Sequence, residues 1–275
     1  MPSTFLEDRG LVRVSGDEAR GFLQGLFTCN MERVAPGASA FGALLTPQGK
    51  IITDFIVSQE GDAFWLDAPR TLTADLLKRL RLYRLRAQIE LTDMSEAMGV
   101  EAIWDEAALP AGASPDPRHP GLGARRILER ATLAGLPDQR AAYEARRIAC
   151  GIAQGGADFA YGEAFPHEVN MDLIGGVDFK KGCYVGQEVV SRVHHRNAAR
   201  RRILPVKFDA PAPAPGTPVL AGDVEIGTLG SSVAGHGLAS IRTDKAQDAA
   251  AAGTPVTAGG VAVTLGPLPS GAQQG

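Results

Sequence analysis

The chain has 275 residues, enough for about two domains at roughly 150 residues each. Hydrophobic residues make up 44% and charged residues 21%, which excludes wholesale disorder and leaves ample material for a core without disulfides. The formal net charge of −3 excludes a nucleic-acid binder whose whole surface is basic.

In chain order, residues 11–14 read as a short strand. Ser15 and Glu18 then form an S-x-x-E capping box, opening a helix with Phe22, Leu23 and Leu26 on one face. Phe41–Leu45 and Ile51–Val57 are apolar and β-prone, and the turn signal Thr46-Pro47-Gln48-Gly49 between them predicts a hairpin. Phe64–Leu66 is a further strand. A helix starts near Arg70, with Leu72, Leu76, Leu77 and Leu80 at helical spacing and Asp75 beside Arg79. Residues 88–91 and 100–104 alternate again, residues 109–123 form a loop rich in Pro and Gly, and a helix runs from about Gln139 to Ala149. Strands mixed irregularly with helices fit an α+β fold better than a doubly wound sheet.

The Pro-rich run from Asp209 to Gly216 reads as a stiff linker. Beyond it, short β-like pieces at 219–220, 224–229, 238–242 and 261–265, each bounded by Gly or Pro, predict a small all-β domain. The chain therefore divides into residues 1–204 and 205–275. Cysteine is sparse, with Cys29, Cys150 and Cys183 too few and too widely spaced for a disulfide framework or a metal pair. Charged residues follow from Glu7, before any signal-peptide apolar region, and no stretch approaches the ~20 apolar residues of a membrane span. The expectation is a cytoplasmic protein with neither membrane nor nucleic acid as a partner.

Residues 165–192 carry the chemistry. Lys181-Gly182-Cys183 places a thiol after a flexible glycine near two ammonium groups, Lys180 and Lys181, and residues 186–190 read as a turn entering a helix. Cations and a helix N-terminus would favour the thiolate of Cys183; the alternative reading is a cysteine buried as a small hydrophobe. Arg192, Arg196, Arg200, Arg201 and Arg202, with His194 and His195, form the one dense basic stretch, either a polyanion contact or a solvated face. Glu188 and Arg192 at i,i+4 are explained equally by a helical salt bridge. Adjacent histidines do not share a helix face, so no metal site is expected.

The octapeptide Lys-Gly-Cys-Tyr-Val-Gly-Gln-Glu at Lys181–Glu188 resembles the signature of the YgfZ family of folate-binding, iron–sulfur-related proteins. Gly21–Leu26, Gln48–Lys50 before the strand bearing Asp54, Tyr83–Arg86 and Pro166–Asn170 continue the resemblance in order, over roughly residues 5–245. Ser191-Arg192-Val193-His194-His195 looks closer to the mitochondrial iron–sulfur-assembly branch. The wider superfamily includes the glycine-cleavage T-protein, an aminomethyltransferase that uses tetrahydrofolate. The resemblance implies a folate-binding, aminomethyltransferase-like domain with ferredoxin-like parts around a central channel, then a small antiparallel β-barrel. It implies tetrahydrofolate as cofactor and iron–sulfur client or assembly proteins as partners. Thr53 stands where the T-protein carries one of two adjacent aspartates, which argues against aminomethyl transfer as the activity and keeps that reaction as the alternative.

A pterin wants a carboxylate or amide for its ring edge and aromatic cover for its faces. Glu168 and Asn170 are candidates for the edge, as is Asp54, whose other reading is a turn cap. Tyr184 and Phe179 would stack, unless they are core. Arg84, Arg86 and Arg192 would grip the glutamate tail. Within the signature, Lys181, Gln187 and Glu188 join the cofactor set implied by the resemblance. Cys183 would be the functional thiol, acting transiently with a partner, since one cysteine cannot hold a cluster that typically takes four thiolates. Cys29 and Cys150 read as structural.

Overall fold

The computed structural model describes residues 2–196 and 199–269. Three antiparallel β-layers organise it. The first is a five-stranded sheet in the order β3(Ala40–Leu45), β4(Ile51–Glu60), β5(Ala63–Pro69), β2(Arg9–Ser15), β6(Glu90–Asp93). The predicted hairpin is β3 and β4, with Ala43 opposite Asp54. Both faces of this sheet are buried, and the period of two sorts the side chains. Val12, Val14, Phe55, Val57, Phe64 and Leu66 pack beneath α1(Ala19–Gln24) and α2(Arg70–Arg84), joined by Leu23, Leu76, Leu77 and Leu80. Leu11, Ile56 and Trp65 point the other way, into the largest core cluster. Alternation places Asp54 and Asp67 on that second, inward side.

Facing it is a four-stranded sheet in the order β1(Ser3–Phe5), β7(Met98–Ile103), β9(Ala124–Glu129), β8(Ala113–Pro115). Val100 and Ala102 contribute to the shared core. The chain then passes α3(Arg130–Leu133) and α4(Arg140–Ala149), winds through loops to α5(Gln187–His195), and enters the barrel. The barrel closes six strands in the order β10(Arg201–Phe208), β13(His236–Arg242), β12(Val224–Val233), β11(Pro218–Ala221), β14(Val256–Ala258), β15(Val261–Leu265), with α6(Thr243–Ala251) packed on it through Ala249.

Several expectations need correction. Helix α1 begins at Ala19, and its N-cap Glu18 makes no side-chain cap; the Glu18 carboxylate instead accepts from the backbone N–H of Gln88, so the capping box does not form. The Pro-rich run joins β10 to β11 within the barrel, with Ala212 against the barrel core, and is therefore a loop of that domain. Strand β10 runs through position 204. Strand β9 leaves no strand signal because Ala-Arg-Arg-Ile-Leu-Glu is polar at its centre, and α6 leaves no helix signal because its alanines carry no periodic apolar face despite high helix propensity.

Candidate functional site

The signature loop is pinned on both sides of Cys183. Upstream, the Asp178 carboxylate accepts from the backbone N–H groups of Lys180 and Lys181 at 2.7 and 3.0 Å. The Lys181 side chain is buried, and its ammonium donates to the carbonyls of Gln24, Phe27 and Cys29 at 2.5–2.9 Å. Burial lowers its pKa to about 8. Downstream, Gly186 adopts φ +82°, and a Cβ there would lie 2.6 Å from the Thr46 carbonyl oxygen. The signature glycine thus lets α5 seat on the β3–β4 turn, where Gly49 in turn packs on Val189.

Between these anchors Cys183 is exposed, whereas Cys29 is buried and Cys150 half-buried. Burial pushes the Cys29 thiol up to about 12 and also raises that of Cys150. The electrostatic expectation for Cys183 is corrected in part: the Lys181 ammonium is committed to three carbonyls, leaving only the exposed Lys180 as a nearby cation in sequence. The alternative of a buried cysteine fails, because the thiol faces solvent.

The remaining predicted site residues do not converge on one pocket. Asn170, left-handed at φ +63° and buried, donates to the carbonyl of Ile203 in β10 at 2.7 Å, while its Oδ1 has no hydrogen-bond partner among the described residues. Glu168 accepts from the Phe165 N–H at 2.9 Å, capping its own 3-10 turn. Tyr184 is buried, with a hydroxyl lacking a hydrogen-bond partner among the described residues, and the same burial raises its pKa. Gln187 opens α5, and Glu188 and Arg192 form the i,i+4 salt bridge at 2.6 Å on its exposed face. Arg86 is exposed beyond α2. Phe179 stacks on His194 with centroids 3.7 Å apart, not on an open cavity.

Asp54 does reach the interior, where Tyr161 donates to it. It adjoins a buried ionic network that sequence reasoning missed. The Asp67 carboxylate accepts from Arg9 at 2.5 Å and from Arg125; Arg125 also reaches Asp116 at 3.0 Å, and Arg118 grips Asp116 at 2.7 and 2.9 Å. The Tyr143 hydroxyl accepts from Arg118 and Arg125 at 3.2 and 2.9 Å. Burial opposes ionisation of Asp67 and Asp116, yet the arginines more than offset it and hold both carboxyls below the usual carboxylate range. These side chains leave a cavity of only about 50 Å³ beside Asp54.

Next to the network, between the two sheets, lies a cavity of about 480 Å³. Ile56, Ser58 and Glu60 line it from β4, Arg125 and Ile127 from β9, and residues 111–114 from the loop entering β8. Glu60 is exposed at the end of β4, where partial burial against the cavity wall raises its pKa, and no side-chain hydrogen bond or ion pair holds its carboxyl among the described residues. Ligand pockets commonly span about 300–1,000 Å³, so the volume suits a pterin. The lining carries the Glu60 carboxyl but no aromatic ring.

Residues 7–109 match the GCVT N-terminal domain, and residues 200–269 match the CAF17 C-terminal β-barrel domain. The chain is 34% identical over 259 residues to the mitochondrial iron–sulfur cluster assembly factor IBA57 homolog of Chaetomium globosum, covering 80% of this chain and 59% of that protein. It is 33% identical over 223 residues to the homolog of Mycosarcoma maydis, covering 73% and 55%. The chain thus spans less than two thirds of the length of these relatives. The glycine cleavage system aminomethyltransferase T of Bartonella henselae superposes with a TM-score of 0.74 at 16% identity, over 97% of this chain and 85% of that one.

The cytoplasmic expectation is corrected here, because these relatives are named mitochondrial. Sparse, unpaired cysteines separate a reducing compartment from an oxidising one but do not choose among reducing ones. Among the described residues no helix is long and apolar enough to cross a membrane. The fold is aminomethyltransferase-like, and the chain joins a GCVT-type domain to a closed, six-stranded CAF17-type β-barrel.

Proposed function

We propose that this protein is an accessory factor in iron–sulfur cluster assembly, with Cys183 as its functional thiol and tetrahydrofolate as its cofactor. The observation that carries the reading is the exposed Cys183, presented on a loop pinned by Lys181 and Gly186 within a chain similar to named iron–sulfur assembly factors. Pinning limits the conformations of the thiol without closing it off, which suits transient contact with a partner protein that carries the cluster. Folate belongs in the 480 Å³ cavity between the sheets, with the Glu60 carboxyl on the β4 wall toward the pterin edge. When bound, tetrahydrofolate would supply one-carbon or reducing chemistry; the protein's own groups bind and orient it.

Two measurements test this. Cys183→Ala should fold normally and fail to complement a strain defective in iron–sulfur enzyme maturation; full complementation would refute the thiol's role. Calorimetric titration with tetrahydrofolate should give saturable heat with wild type and at least about tenfold weaker binding with Glu60→Gln, about 1.4 kcal/mol. Absence of heat with wild type removes the cofactor from the reading.

The alternative, folate-dependent aminomethyl transfer, has in its favour the buried Asp54 on the inward face of β4. Against it, Tyr161 occupies that carboxylate, Thr53 replaces the neighbouring acid, and the arginine network fills the adjoining space. Turnover of an aminomethylated lipoyl carrier to methylene-tetrahydrofolate would reverse the order.

A further inference from the structure

At the junction of the 3-10 turn Pro166–Val169, the last turn of α5 and the start of the barrel lies a second recess, with a cavity of about 250 Å³. It is lined by His167 and by three arginines, Arg200, Arg201 and Arg242, brought together from the approach to β10 and the end of β13. His167 is only 2% exposed, yet neither ring nitrogen has a hydrogen-bond partner among the described residues. A buried imidazole with nothing to donate to or accept from carries an uncompensated desolvation cost, which a ligand able to accept from it would relieve. Its backbone is well tied, since its carbonyl accepts from Arg202 at 2.7 Å, so the ring is held at the recess by the chain around it.

The charge balance favours an anion. Arg200 is exposed, and among the described residues the Arg201 guanidinium makes only a 3.5 Å contact with the Ser240 hydroxyl. Arg242 shares its guanidinium with Asp244 at 2.6 and 2.9 Å, an exposed pair that water and a competing anion can open. Arg202 is neutralised by Asp172 and takes no part. Opposing the arginines in the lining is the Glu168 carboxylate, one oxygen of which is held by the Phe165 N–H. Lys50 lies over the Phe165 ring at 3.4 Å, with its ammonium donating to the Glu163 carbonyl, and takes no part in the lining.

We propose that this recess binds a small ligand bearing a phosphate or carboxylate group, with Arg200, Arg201 and Arg242 pairing its oxygens and His167 donating the inner hydrogen bond. Guanidinium groups clustered from two strands suit planar, bidentate recognition of such oxyanions. The site stands apart from the cavity assigned to folate and does not depend on Cys183.

The test is titration of the full chain with inorganic pyrophosphate and, in parallel, with triglutamate, followed by heat and by the side-chain NMR signals of His167. Saturable binding of one probe with movement of the His167 ring signals supports the site; pyrophosphate identifies a phosphorylated ligand and triglutamate a carboxylate one. Arg201→Gln combined with Arg242→Gln should weaken that binding about tenfold or more while leaving the melting temperature of the protein within the spread of surface variants. His167→Gln, which keeps one donor, should retain part of the affinity. Neither probe saturating by about 10 mM, far weaker than specific small-ligand binding, overturns the proposal. Binding that leaves the His167 signals in place, or equal affinity in the double arginine variant, overturns it as well.

Discussion

At the level of single residues, the signature segment divides its work between one reactive group and several structural ones. Lys181 looked in sequence like an electrostatic helper of the thiol; in the fold its ammonium satisfies three carbonyls at the end of α1 and the loop after it. Lys181→Met would leave those carbonyls unpaired and is expected to cost about 2–4 kcal/mol, read as a lower urea midpoint with an unchanged slope. Gly186→Ala combines a positive φ with a Cβ 2.6 Å from backbone oxygen and should destabilise by about 2 kcal/mol or more. Both variants should retain an exposed, titratable Cys183, which a thiol-reactive dye would count in the native state. A loss of dye reactivity without loss of stability would mean that the loop is held by other contacts.

Among the elements, the docking of the barrel onto the first domain rests on polar clasps between loops and strands. Arg147, buried on α4, donates to Asp158 at 2.8 Å and to the Ser231 hydroxyl in β12 at 2.9 Å, while the Asp158 carboxylate accepts from the Ser231 N–H at 2.7 Å. Asn170 and the Arg202–Asp172 pair repeat the arrangement on β10. Removing Arg147 leaves Asp158 buried without its cation, which typically costs about 3–5 kcal/mol. Arg147→Met is therefore expected to expose the domain junction, with amide exchange of β12 accelerating before that of β4; equal acceleration in both strands would show that the two domains unfold as one unit whatever the clasp.

For the whole molecule, the buried arginine–aspartate network sets the acid limit. Asp67 and Asp116 ionise in the folded protein below the ordinary value near 3.9, Asp116 well below it, so their stabilisation is complete above about pH 5 and is lost as pH falls through 4 toward their folded values. Glu60, raised by burial, acts with the opposite sign and more weakly. Urea midpoints measured from pH 7 to pH 3 should fall steeply below pH 4. Asp116→Asn should lower stability at pH 7 and flatten the acid limb, because one proton fewer is taken up on unfolding the acidified protein. A variant that lost stability equally at every pH would place the acid sensitivity elsewhere.

Much of the secondary structure, the hairpin, the small all-β C-terminal domain and the signature loop were legible in the chain, because each follows from local rules: apolar β-prone runs flanking a turn signal in β3 and β4, leucines at helical spacing in α2, Gly and Pro between short β pieces, and an octapeptide long enough to be specific; closure of the C-terminal strands into a barrel was implied only by the family resemblance. What surrounds Asp54 was not. Arg9, Asp67, Asp116, Arg118, Arg125 and Tyr143 are scattered over more than 130 positions, and each alone reads as a surface charge or a core aromatic. Only the face-to-face packing of two sheets makes them neighbours, and only burial at low dielectric turns isolated charges into obligatory pairs. In the same way, sequence offered Glu168 and Asn170 for the pterin edge, while the docked barrel claimed Asn170 for its own backbone; hydrogen bonds that span a domain junction depend on the completed fold, which no local pattern encodes.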